Sequence, residues 1–225
     1  MMRGVFVTGT GTEVGKTVVS RALILGLQHR GTRVAGIKPI ETGWNERKGD
    51  AVLLADACQK PELVQERGLY RAAAPLAPYA IELSGAHPPL VLEQVLEATR
   101  KLAAFADFAV IEGAGGFYVP LGRDETMADL ASGLGLPLVL VSLNQLGVLS
   151  SVLCARECIE RRGLFLRALV LVEPQARDSS FEHNARILKE RLRTSVIHFP
   201  RCEGDAALIH AALDSGLVDA CLSKA

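Results

Sequence analysis

Along this chain, short runs that are apolar at nearly every position alternate with longer stretches whose apolar residues recur every three or four. The short runs are GVFVT (4–8), RVAGIK (33–38), FAVIE (108–112), PLVLVS (137–142), RALVLV (167–172) and SVIHF (195–199). Runs apolar on both faces predict strands buried on both sides of a parallel sheet. The longer stretches, at 15–30, 90–105, about 147–162 and about 179–193, predict helices, with a shorter one at 204–214 and a further helical run, AVLLADAC, after Asp50. Strand and helix in alternation need right-handed crossovers, which put helices on both faces of the sheet. The expected fold class is therefore α/β, a mostly parallel sheet in a single domain over residues 1–225.

Two stretches break the rhythm: 39–49 (PIETGWNERKG) and 61–89, which contains AAAPLAPY and GAHPP. Loops of that length in a compact domain are usually functional or mobile. The first directly follows a strand, on the side where open α/β sheets hold ligands. No internal repeat or low-complexity linker divides the chain.

Charge narrows the partners. Lys plus Arg and Asp plus Glu both total 25, so the formal net charge is zero. That balance argues against general affinity for nucleic acid or an anionic membrane and leaves room for a local basic site. The run LPLVLVSL is far below the ~20 residues of a membrane span. The first apolar run, Val5 to Val7, is too short for a signal-peptide core, and a cytoplasmic protein is expected. None of the five cysteines forms C-x-x-C, which suits a reducing compartment. Cys154 and Cys158, four apart on a predicted helix, are expected to be small core residues.

Candidate chemistry begins at GTGTEVGKT, residues 9–17, between the first strand and the first helix. The strict phosphate-loop pattern wants glycine where this chain has Thr10, which predicts a longer variant of the loop. Glycines at 9, 11 and 15 let successive N–H groups turn inward toward phosphate oxygens, and the helix start faces the same anion. Lys16 adds a point charge for the phosphates, and the Thr17 hydroxyl can ligate Mg²⁺. The other reading is a Gly-rich turn with a chance Gly-Lys-Thr, which the flanking strand and helix disfavour.

A magnesium nucleotide also needs carboxylates. Glu112 ends the apolar strand FAVIE and is followed by GAGG, a flexible turn by composition. An acid in that place is hard to explain as packing. Asp50 suits a metal too, although a helix N-cap is its ordinary explanation. Lys38, at the end of the second strand and before Pro39, either joins Lys16 in one crevice or is a surface lysine. Two lysines and a metal suit a reaction in which a phosphate meets a second anion.

Taken together, GTGTEVGKT, GIKPIETG, GDAVLLADA, AAPLAPY and the EGAGG at 112–116 resemble the dethiobiotin synthetase family, in order and spacing along most of the chain. The resemblance implies a P-loop NTPase-like fold and an ATP- and Mg²⁺-dependent ring closure in biotin synthesis. Diaminopelargonic acid would take up CO₂ as a carbamate, ATP would activate it as a mixed anhydride, and the second amine would close the cyclic urea, releasing ADP and phosphate. It further implies that Glu13, Val14, Gly15, Lys16, Thr17 and Val18 wrap the phosphates, and that Thr17, Asp50 and Glu112 serve the metal. Gly113, Ala114 and Gly115 would adjoin the nucleotide, Lys38 would hold and activate the carbamate with Lys16 beside it, and Thr42 would touch the substrate. A homodimer is implied as well, with the substrate carboxylate on a helix start of the neighbouring subunit, matched here by Gly147, Val148, Leu149 and Ser150. Pro200, Arg201 and Cys202 align with a late base-contacting loop.

The chain departs from the family at three places. Val172, followed by Glu173 and Pro174, stands where an Asn usually reads adenine; valine offers no hydrogen bond to a base edge, which predicts weaker base selection. Gln145 replaces a common basic residue, and Tyr79 a common histidine. Dimerising ATPase switches use a related loop but have a lysine where this chain has Gly11, and the ending DSGLVDACLSKA is not the basic amphipathic helix of their membrane-binding members. Relatives that amidate cobyrinic acid carry an added glutaminase domain, for which 225 residues are too few.

Overall fold

The computed structural model describes residues 2–64 and 66–223. In chain order the elements are β1 (Gly4–Gly9), α1 (Lys16–His29), β2 (Val34–Ile37), β3 (Ile40–Thr42), α2 (Asp50–Cys58), β4 (Tyr70–Ala72), α3 (Pro78–Leu83), α4 (Leu92–Ala103), β5 (Phe108–Gly116), α5 (Met127–Leu134), β6 (Leu138–Leu143), α6 (Val148–Arg161), β7 (Leu166–Val172), α7 (Phe181–Arg191), β8 (Ser195–Phe199), α8 (Asp205–Asp214) and α9 (Leu217–Leu222). The six apolar runs become one sheet, ordered β2-β5-β1-β6-β7-β8 and parallel at every pairing. β1 lies inside it, buried along its whole length between β5 and β6.

Helices form two groups against the sheet. α1 packs with α2, α8 and α9; α4 pairs with α5, and α6 with α7. A parallel sheet covered in this way leaves its carboxyl edge as the place where loops converge.

Two expectations about the irregular stretches need correction. Residues 112–116 are no flexible turn: β5 continues through them, and Gly116 pairs with Gly9 after the β1–β5 register shifts between Val7 and Gly9. The glycines lack the side chains that would hold two strand ends apart at such a step. Ile40–Thr42 and Tyr70–Ala72, inside the presumed loops, form a small parallel sheet that pairs Glu41 with Arg71. Helix α5 also escaped the periodicity, although Thr126 and Asp129 supply a reciprocal cap at its start.

Candidate active site

Residues 10–15 carry the chain from β1 over the carboxyl edge into α1. Thr10 does not spoil this loop. Its N–H donates to the Val141 carbonyl at 3.0 Å, and its hydroxyl meets that of Ser142 at 2.7 Å, so it ties the loop to β6. Gly15 sits at φ 95°, where an added Cβ would come within 3.1 and 3.2 Å of the two Val172 methyls. Gly15→Ala is therefore expected to cost roughly 1–3 kcal/mol, read as a lower urea midpoint. Gly135→Ala shares the left-handed backbone but meets open space. An equal loss in that control would show that the Val172 contact contributes nothing.

Below the loop, three charged groups and a hydroxyl form one hydrogen-bonded network, with Lys16 close by. Lys38, 3% exposed, donates from Nζ to Glu112 Oε1 (2.6 Å), Asp50 Oδ2 (2.9 Å) and the Gly113 carbonyl (3.2 Å). Thr17 Oγ1 donates to the same Glu112 oxygen at 3.0 Å. Burial opposes the Lys38 charge, but Glu112 and Asp50 outweigh it and raise its pKa. Burial likewise works against the Asp50 carboxylate, and Lys38, Thr17 and Lys16 more than offset it, so its pKa falls. Lys16 turns back to the Gly11 carbonyl at 2.8 Å; burial first, then the neighbouring Lys38, lower its pKa to about 8.

Glu112 is fully buried, and its Oε2 has no hydrogen-bond partner. A buried carboxylate oxygen left without a donor costs free energy unless something binds it. No group of three His, Cys, Asp or Glu side chains among the described residues could hold a metal alone. Mg²⁺ is commonly bound by one or two carboxylates together with substrate phosphates, and a hydroxyl with two carboxylates suits such a hard cation.

A cleft of about 650 Å³ opens over this network. Of the residues singled out in the sequence, Glu13, Gly15, Lys16, Thr17, Val18, Lys38, Thr42, Asp50, Ala114 and Gly115 line it. Glu112 lies beneath them, Gly113 offers its carbonyl to Lys38, and the Val14 side chain turns into the core. Gly147 to Ser150, at the start of α6, do not line the cleft. Nor do Pro200 to Cys202, which follow β8 beside β7, where Val172 pairs with Phe199. The α6 start is held from behind by buried Asn144 and Asn184, 3.0 Å apart, and by Asp178, which accepts the Leu146 N–H at 2.7 Å.

Asp50 is not the N-cap of α2. That position is Gly49, which caps nothing with a side chain; the carboxylate of Glu41 accepts the N–H groups of Asp50 (2.6 Å) and Ala51 (3.0 Å) instead. Burial raises the Glu41 pKa, against the opposing pull of those two N–H groups. The sequence reading missed Glu41 because it stands in a polar stretch read as loop. A second groove, of about 590 Å³, runs along the other side of the glycine loop between Gly116–Pro120 and α6. Cys154 and Cys158 line it; Cys154 is exposed and not the core residue expected, whereas Cys158 is half-buried against the core. Their spacing placed them on one helix face without saying which face was covered.

A family model described as an AAA domain matches residues 3–200. The chain is 42% identical over 172 residues to the ATP-dependent dethiobiotin synthetase BioD of Anaeromyxobacter dehalogenans, covering 76% of each chain. It is 43% identical over 172 residues to the protein of the same name from Anaeromyxobacter sp. strain K, again over 76% of each. Among solved structures, the signal recognition particle receptor FtsY of Elizabethkingia anophelis superposes with a TM-score of 0.55 at 12% identity, over 99% of this chain and 66% of that one. That likeness extends to the fold alone.

Proposed function

The chain belongs to the dethiobiotin synthetase family, and from that membership we propose that it closes the cyclic urea of dethiobiotin on diaminopelargonic acid and CO₂. At the coarser level it is an ATP-dependent cyclo-ligase that serves biotin biosynthesis. The observation that carries the finer reading is the cluster of buried Lys38 and Glu112 with half-buried Asp50 directly beside the glycine loop.

In this reading, residues 1–225 act as one catalytic domain per subunit. The backbone of Glu13 to Val18 and the Lys16 ammonium hold the triphosphate. Lys16 leaves the Gly11 carbonyl to do so, and Lys38 gives up one of its three present bonds to reach the carbamate. One amine of the substrate carries CO₂ as a carbamate anion, whose oxygen attacks the γ-phosphorus while ADP leaves. Two lysines converge there because both reactants bring negative charge. The second amine then attacks the carbamoyl carbon, and phosphate departs with the bridging oxygen. Thr42 borders the substrate, and the cleft walls exclude water that would hydrolyse the anhydride. Thr17, Asp50 and Glu112 would hold Mg²⁺, which neutralises charge on the phosphates when bound.

Gly147 to Ser150 lie outside the cleft of their own chain, so a role for them at the substrate carboxylate calls for a second copy. A homodimer that presents one chain's α6 start to the other's cleft meets that need. Val172 has no hydrogen-bonding side-chain group, so base selection would fall to the chain at Pro200 to Cys202.

The test is direct. Purified protein with diaminopelargonic acid, bicarbonate, Mg²⁺ and ATP should yield dethiobiotin by mass spectrometry, and none when ATP is omitted. Bound nucleotide without product would sink the assignment.

Lys16 adds a pH signature. Burial and Lys38 hold its pKa at about 8, and a polyphosphate beside it raises that value, so binding takes up a proton above about pH 8. ATP affinity should be flat below pH 8 and fall up to about tenfold per pH unit above it, with proton uptake visible by calorimetry in buffers of different ionisation enthalpy. Affinity independent of pH through that range would refute the assignment of Lys16 to the phosphates.

A further inference from the structure

Glu41 is a buried acid with no place in the ring closure as described. It comes from β3, whereas the groups it bonds open α2. Because Gly49 provides no side-chain cap, the Glu41 carboxylate is what satisfies the N–H groups of Asp50 and Ala51. The fit is close: a Cβ on Gly49 would stand 2.7 Å from Glu41 Oε1 and 2.8 Å from the Trp44 ring. Residue 49 is thus kept small so that strand and helix start can meet. Trp44 in turn lies under the Arg71 guanidinium, and Arg71 is the β4 partner of Glu41. The small β3–β4 sheet therefore fixes the start of α2, and with it the root of the Asp50 side chain, which reaches Lys38 at 2.9 Å.

We infer that Glu41 is a positioning residue for the cation site: by holding the first turn of α2 it sets the direction of the Asp50 carboxylate. The inference rests on the reading above that Asp50 serves Mg²⁺. Removing a hydrogen-bonding partner behind a metal ligand typically weakens metal binding by about 10- to 100-fold. A loss of fold stability alone would not change the Mg²⁺ concentration required by the molecules that remain folded.

The experiment is a Mg²⁺ titration at fixed ATP without diamine, followed by heat, on wild type, Glu41→Gln and Glu41→Ala. The same proteins are assayed for turnover across Mg²⁺ concentration, with thermal melts alongside. In Glu41→Ala the Mg²⁺ midpoint should rise by about 10- to 100-fold, with turnover recovering at saturating Mg²⁺. Glu41→Gln keeps one acceptor oxygen but turns an NH₂ toward the second N–H, so its midpoint should fall between the other two. If Glu41→Ala fails to fold, the shift in Glu41→Gln decides. A wild-type midpoint in the folded variants, with turnover lowered at every Mg²⁺ concentration, would overturn the inference. Absence of any Mg²⁺ response in wild type would instead overturn the metal reading on which it stands.

Discussion

Lys38→Ala is expected to lower turnover by roughly 100- to 1,000-fold, the usual cost of removing one preorganised charge from a site where negative charge is transferred. The same change should destabilise the fold. Lys38 Nζ is the only cation bonded to Glu112 among the described residues, at 2.6 Å, and neither side chain is more than 3% exposed. Deleting one partner of such a pair leaves a buried charge without compensation, at a cost of about 3–5 kcal/mol. The pH dependence follows from the direction of each shift. The Lys38 pKa is raised, so its stabilising contribution is complete below the ordinary 10.5 and fades as pH rises through the higher folded value. The Asp50 pKa is depressed, so its contribution is complete above the ordinary 3.8 and is lost as pH falls through the lower folded value. The gap between wild type and Lys38→Ala in urea melts should therefore be widest at neutral pH and narrow in acid. A variant as stable as wild type would mean that water, not Lys38, satisfies Glu112.

Glu112→Gln should separate what Lys38→Ala combines. The amide oxygen can still accept from Lys38 and Thr17, and Asp50 still pairs the ammonium, so the stability loss should be the smaller of the two. Function should suffer heavily. The oxygen now without a partner, Oε2, becomes an NH₂ group that repels a cation, and both Mg²⁺ affinity and turnover should drop by at least about 100-fold. Raising Mg²⁺ should recover part of the turnover. Full activity in Glu112→Gln at ordinary Mg²⁺ would remove Glu112 from the metal set. The pair of variants then distinguishes a residue that holds the fold and the reactants together from one that serves the cation.

How far the sequence carried depends on the kind of signal each residue gives. Five of the six sheet strands were legible because they are buried on both faces and read as nearly unbroken apolar runs; β8, at the sheet edge, instead alternates exposed Ser195 and His198 with buried Ile197 and Phe199. β3 and β4 were not, since three residues such as Ile-Glu-Thr or Tyr-Arg-Ala show no period, and their acid and base looked solvated. Glu112 was legible as an acid that packing could not explain, and the structure leaves it fully buried. Lys38 was ambiguous, because a strand end can face solvent or a crevice; its 3% exposure decides for the crevice. Asp50 was ambiguous between cap and ligand; the cap reading fails because Glu41, nine positions away, takes the N–H groups at the helix start, a partner that no local rule would consult. Residues 147–150 stand apart from the cleft, which no period or spacing in the sequence could have told.

The most direct test of the central claim, that ATP phosphorylates a carbamate in this cleft, follows an oxygen atom. Bicarbonate labelled with 18O is mixed with protein, diaminopelargonic acid, Mg²⁺ and ATP under conditions short enough to limit exchange with water, and the released phosphate is analysed by mass. Transfer of one labelled oxygen into phosphate, in step with dethiobiotin formed, is the predicted result, because the carbamate oxygen bridges to phosphorus before the ring closes. Unlabelled phosphate released alongside dethiobiotin would contradict the account, since ATP would then have been cleaved by water and not by the carbamate.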